Sequence, residues 1–145
     1  MTILFKSDDF PLINCLYQGK ARKNLFKKRD AMKYVDILIT SEGLELIGKK
    51  IDVKNSFGDR IKRDCEGYGL EIPWSKITSV RKLKEGFLHI ISIETQEHEE
   101  PFKILSLDLN TSGLGIKDSK RNSEMLIERI NKAKAQIESS ERLSN

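Results

Sequence analysis

Between residues 34 and 40 apolar and polar side chains alternate. Val35, Ile37 and Ile39 fall on one face of an extended segment and Asp36, Leu38 and Thr40 on the other, the period of two expected of a half-buried strand. Ser41-Glu42-Gly43 then makes a turn in which Gly43 supplies a positive φ, and Leu44-Glu45-Leu46-Ile47 returns as the second arm of a hairpin. Upstream, Leu12 to Tyr17 is a short apolar run bounded by Pro11 and by Gln18-Gly19, and it predicts a first buried strand. Further on, Leu70 and Ile72 alternate with Gly69 and Glu71. Pro73 withholds a backbone donor there, and a new β-rich run starts at Ile77. Trp74, the single tryptophan, sits at this strand-corner-strand unit. One aromatic ring removes about 150–250 Å² from water, enough to close the end of a small barrel.

The remaining elements follow from the same pattern. Strands are predicted at Ile77 to Leu83, Phe87 to Thr95 and Phe102 to Leu107, with turns at Lys84-Glu85-Gly86 and from Gln96 to Glu99. From Gly48 to Gly69 the alternation is lost, which predicts a long connection with a strand extension at Ile51 to Val53. Residues 109–115 read as loop. The period then changes: Ser123 is the expected N-cap, Glu124 lies in the first turn, and Leu126, Ile130, Ala133 and Ile137 form one apolar stripe of a helix. The helix is expected to act as a lid on its own domain, with a coiled-coil or membrane-surface element as the other readings of such a stripe. The expected fold is mainly β with one C-terminal helix, a seven-stranded antiparallel barrel or sandwich capped by an amphipathic α-helix. It is expected to be a single domain over residues 1–138, followed by a frayed polar tail at 139–145.

Composition adds limits. A chain of 145 residues can bury roughly 68–70% of its unfolded surface, so its core needs no disulfide, metal or cofactor. Cys15 and Cys65 are fifty residues apart, without a C-x-x-C or an adjacent His, which matches neither a zinc site nor a disulfide framework. The apolar run at Ile3-Leu4-Phe5 is too short for a signal peptide, and there is no run of eighteen apolar residues. A cytoplasmic protein, free or on a membrane periphery, is the expectation.

Net charge is only +4, but it is unevenly spread. Lys20, Arg22, Lys23, Lys27, Lys28, Arg29 and Lys33 stand against Asp30 alone in one segment, Arg60, Lys62 and Arg63 form a second cluster, and Glu94, Glu97, Glu99 and Glu100 supply an acidic counterpart. Such asymmetry suits an anionic partner, and a solvated loop is the plainer account. The candidates for catalysis are few. His89 lies mid-strand and His98 in an acidic turn, neither beside a predicted nucleophile, and Gly113-Leu114-Gly115 fails the dinucleotide fingerprint because Asp118 stands where the third Gly belongs. The reading is therefore non-enzymatic. Phe26 is the only aromatic within the basic segment before Tyr34, which disfavours a stacking platform for nucleic acid.

The hairpin Asp36-Ile37-Leu38-Ile39-Thr40-Ser41-Glu42-Gly43-Leu44 resembles the strand, Thr, turn, Leu unit of GRAM, GLUE and prokaryotic PH-like domains. Ile72-Pro73-Trp74-Ser75-Lys76-Ile77-Thr78-Ser79-Val80 resembles their strand-corner-strand unit. With the closing helix, roughly Leu12 to Ile137 is similar to the pleckstrin-homology-like superfamily. The long basic first connection, the irregular segment before Gly69 and the loop before the helix also resemble the GLUE domain of the endosomal sorting machinery. The resemblance implies an adaptor in protein transport that binds phosphoinositides through basic loops and, in some members, ubiquitin through an apolar surface near the last strands and helix. Its basic signature does not align position by position with this chain.

Two sites follow as expectations. Lys20, Arg22, Lys23, Lys27, Lys28, Arg29, Arg60, Lys62 and Arg63 are the lipid-binding candidates, with Leu25 and Phe26 either inserting as an apolar tip or packing inward. Leu88, Ile90, Leu105 and Leu107 alternate away from the predicted core. They form either an outer protein-binding patch or a face covered by Ile3-Leu4-Phe5 or the helix.

Overall fold

The computed structural model describes residues 2–10, 12–18, 32–54, 60–108 and 116–144. They form β1 (Ile3–Lys6), β2 (Leu12–Gln18), β3 (Lys33–Thr40), β4 (Gly43–Gly48), β5 (Lys50–Lys54), β6 (Arg60–Asp64), β7 (Gly69–Pro73), β8 (Ile77–Glu85), β9 (Leu88–Thr95), β10 (Phe102–Asp108) and α1 (Ile116–Ser144), with 3-10 turns at Ser7–Asp9 and Trp74–Lys76. The chain is mainly β with one C-terminal helix, as expected from its pattern.

The β3–β4 hairpin turns through Ser41 and Glu42, and Thr40 locks it. The Thr40 hydroxyl accepts from the Glu42 and Gly43 N–H groups at 3.1 and 3.2 Å and donates to the Gly43 carbonyl at 3.1 Å. Gly43 has φ +153°, and a Cβ placed on it would meet the Ile72 carbonyl oxygen at 2.1 Å, so β7 can lie against this position only because no side chain is there.

Seven strands lie in the antiparallel order β7-β4-β3-β2-β10-β9-β8, and β1 adds to β3 with Ile3 opposite Thr40 and Lys6 opposite Leu38. The path ends on β7 and β8, consecutive strands that share no ladder among the described residues. The sheet therefore curves round one core without closing, which corrects the expected barrel. At the corner between these strands the Trp74 backbone N–H donates to the Glu42 carbonyl at 3.2 Å and its indole Nε1 to the Thr40 carbonyl at 3.1 Å. The ring is thereby held to the β3–β4 turn as the chain leaves β7. The core joins Leu16, Val35, Ile37, Ile39, Leu44, Leu46, Ile72, Ile91, Ile93 and Ile104 from the sheet to Leu126, Ile130 and Ala133 of α1, with Trp74 packed against it.

Several boundaries differ from expectation. The predicted connection from Gly48 to Gly69 contains a two-stranded ribbon, β5 against β6, pairing Lys50 with Asp64 and Asp52 with Lys62. Phe87 is in a turn, 70% exposed, rather than in a strand facing the core. The helix begins at Ile116, so Ser123 is not an N-cap. It is buried inside the helix and donates to the Lys120 carbonyl at 3.0 Å, while Glu124, about two turns further in than expected, pairs with Lys82. The backbone stays helical through Ser144, so the expected frayed tail at 139–145 belongs to α1 over all but its last residue.

Candidate functional site

Lys20, Arg22, Lys23, Lys27, Lys28 and Arg29, with Leu25 and Phe26, lie outside the described residues. The second basic cluster is on the β5–β6 ribbon: Lys62 is exposed opposite Asp52, and Arg60 ends the ladder opposite Lys54. Arg63 is half-buried, and its guanidinium Nη2 donates to the carbonyl of buried Met32 at 3.2 Å. Two residues on, Cys65 Sγ accepts from the Tyr34 N–H at 3.4 Å. The base of the ribbon is thus fastened to Met32 and Tyr34, where the chain emerges from the basic segment. This brings the base of the ribbon against Met32 and Tyr34, some thirty residues away in sequence, at the start of β3.

The other cations behave differently. On the outer strand β8 and its approach, Lys76 pairs with Glu97 at 2.9 Å, Lys82 with Glu124 at 2.9 Å, and Arg81 with Glu94. Lys76 holds the Glu97 carboxyl below its usual value first through their hydrogen bond, and Lys82 does the same to Glu124. Much of the positive charge of this edge is therefore spent on neighbouring carboxylates.

The apolar candidates lie on the face predicted for them, opposite Ile91, Ile93, Phe102 and Ile104, but that face is not open. Ile90 is 0% and Leu105 8% exposed, and Leu88 and Leu107 are half-buried. They belong to a second cluster with Cys15, Tyr17, Met32, Tyr34 and Leu83. Leu105 lies opposite Cys15 and Ile90 opposite Leu83 across neighbouring strands. The expected covering by Ile3-Leu4-Phe5 does not occur, because β1 lies along β3 and Phe5 enters the main core. The patch is a small core on the outer side of the sheet.

Chemistry within this second core is quiet. The Tyr17 hydroxyl donates to Glu85 Oε2 at 3.3 Å, and Lys103 forms an ion pair with the other oxygen of the same carboxylate. Burial, followed by the Glu85 charge, moves the Tyr17 phenol upward. Burial likewise pushes the Cys15 thiol up to about 12 against the opposing pull of Arg63, which favours the neutral thiol at neutral pH. His89 is held below the usual imidazole range by desolvation and then by Lys84, Lys82 and Lys120, and its backbone N–H donates to Ser119 Oγ at 3.2 Å. His98 Nδ1 lies 2.9 Å from the Thr95 hydroxyl, and its ring meets Phe102 edge-on.

Two surface grooves stand out. One, of about 190 Å³, runs along β4 and β7 past Glu42, Glu45 and Glu71. The other, of about 150 Å³, separates β1 from the second half of α1. Neither was singled out from sequence, because each joins residues distant in the chain. No helix among the described residues is long and apolar enough to cross a membrane. Comparison of the chain with known protein families, curated proteins and solved structures returned no match.

Proposed function

We propose that this protein is a non-enzymatic, PH-like adaptor module that docks on anionic membrane headgroups through the basic segment between β2 and β3 together with the β5–β6 ribbon. The observation that carries this reading is the hydrogen bond from Arg63 to the Met32 carbonyl, which ties the base of the ribbon to the end of the basic segment. On this reading the two modest clusters act as one patch. Each Lys or Arg near an anionic leaflet contributes about 1 kcal/mol, so a patch of several cations gives weak, salt-sensitive association. The ion pairs of Lys76, Arg81 and Lys82 favour this end of the molecule over the β8 edge. Arg63 has a positioning role rather than a headgroup contact. Protein binding through Leu88, Ile90, Leu105 and Leu107 is disfavoured by the burial of Ile90 and Leu105.

Co-sedimentation with vesicles of graded anionic content, with and without phosphoinositide, tests this. Charge reversal at Lys27, Lys28 and Arg29 is expected to abolish binding, Lys62→Glu to weaken it about tenfold, and Lys82→Glu to leave it nearly unchanged. A preference for one phosphoinositide at equal total charge would indicate a shaped pocket. Absence of binding at every composition, or equal losses from Lys62→Glu and Lys82→Glu, would overturn the proposal.

A further inference from the structure

The groove between β1 and α1 has an apolar floor and a cationic rim. Leu4, Phe5, Ile39 and Ala133 line the floor, and Arg129 and Lys132 stand on the helix above it. The helix presents these cations on one stripe because they are three residues apart. On the other side β1 pairs with β3 through an irregular register between Ile3 and Phe5. Phe5 enters the core while Leu4, which also lines the groove, stays 40% exposed.

The two cations differ from those of β8. Neither Arg129 nor Lys132 forms an ion pair among the described residues, and the Arg129 guanidinium rests 5.8 Å from the centroid of the Phe5 ring. An unpaired guanidinium over an aromatic floor, with a second cation one turn along, is complementary to a carboxylate that arrives beside an apolar group. Size narrows the class. Ligand pockets that bury a whole small molecule run to about 300–1,000 Å³, so a groove of about 150 Å³ fits an anchoring side chain of a partner peptide.

From these observations we infer that the β1–α1 groove is a docking site for a short acidic amphipathic peptide segment of a partner protein. An apolar residue of the segment seats against Leu4 and Phe5, and flanking Asp or Glu side chains pair with Arg129 and Lys132. The site lies on different residues from the proposed membrane patch.

Display selection of short random peptides on the wild-type protein, with counter-selection against the Arg129→Glu, Lys132→Glu double variant, tests the inference. Both substitutions are at exposed helix positions, and Leu4→Asp supplies a second, independent probe of the floor. The expected result is a consensus of one or two large apolar residues flanked by Asp or Glu. Selected peptides should bind with an anisotropy change that weakens about tenfold or more in the double variant and in Leu4→Asp, and that weakens with added salt. Vesicle co-sedimentation of the double variant should match wild type. A consensus without acidic residues, selected peptides that bind the variants as well as wild type, or a loss of vesicle binding with no peptide consensus would each overturn it, the last in favour of a membrane surface.

Discussion

Asn14 lies wholly inside the protein, on β2, and replacing it should be among the most damaging polar substitutions in the chain. Its Nδ2 donates to Ser7 Oγ at 3.1 Å, and its Oδ1 accepts from Ser106 Oγ at 2.7 Å. Ser7 Oγ also accepts from the Ile37 N–H at 2.7 Å, and Asn122 Nδ2 of α1 donates to the Ser106 carbonyl at 3.3 Å and to Asp108 Oδ1 at 3.0 Å. One amide thus links the 3-10 turn, β2, β3, β10 and the helix. Asn14→Ala removes two hydrogen bonds worth about 0.5–1.5 kcal/mol each and leaves the buried Ser106 hydroxyl without its acceptor, which costs about 1–3 kcal/mol. The total is about 2–6 kcal/mol, a large part of a domain's stability. Urea unfolding followed by fluorescence of Trp74, the only tryptophan, reads it. With a slope of about 1–3 kcal/mol per molar urea, the midpoint should fall by roughly 1–3 M. Ser106→Ala should be strongly coupled to Asn14→Ala, the double variant losing less than the two singles together. A midpoint within about 0.3 M of wild type, or simple additivity, would refute the claim that this network holds the helix to the sheet.

Other perturbations follow from contacts described above. Thr40→Val keeps the shape of the side chain but removes the hydroxyl that binds the Glu42 and Gly43 amides, and a loss of about 1–3 kcal/mol is expected in the same urea assay. Gly43→Ala should be worse, since its methyl collides with the main chain of β7. Cys15 should not react with a maleimide in the native state at pH 8, where a thiol of pKa about 12 is ionised in only about one molecule in 10⁴, and Cys65 should be shielded by its burial; both should react fully in urea. For Asp108, burial alone raises the carboxyl, but hydrogen bonds from Asn122 and Arg121 prevail and leave it below its ordinary value of 3.8. Its contribution is therefore complete above that value and lost as pH falls through the lower folded one. Asp108→Asn should flatten the decline in stability below about pH 4, measured by urea unfolding across pH.

Strands were legible from sequence as apolar runs, as in β2, or where burial is one-sided. The alternation of Val35, Ile37 and Ile39 marks β3 because Asp36 and Leu38 are half-exposed on its other face. The ribbon strand β6, Arg-Ile-Lys-Arg-Asp, was missed because a two-stranded ladder off the main sheet supports almost no apolar pattern. The start of α1 was missed for the opposite reason. Ser119, Asn122 and Ser123 continue the inward stripe of Leu126, Ile130 and Ala133 and are buried, but they are polar and find their partners in hydrogen bonds. A scan for apolar periodicity begins only where that polar stretch ends. The outer core was half legible: the period of two placed Leu88, Ile90, Leu105 and Leu107 on one face, while nothing local to them signals Met32, Tyr17 and Cys15 arriving from elsewhere. The β1–α1 groove was illegible, since it joins the two ends of the chain.

The second core also changes how the molecule should open. Where β2, β9 and β10 cross its middle, the sheet is dry on both sides, with Leu16, Ile91 and Ile104 beneath and Cys15, Ile90 and Leu105 above. Amide protons there have no face from which water can reach them by local fluctuation, so they should exchange only through global unfolding, more slowly than those of the outer strands β7 and β8. The same crossing should be the least forgiving of substitution, because Cys15, Leu16, Ile90, Ile91, Ile104 and Leu105 each enter one core or the other.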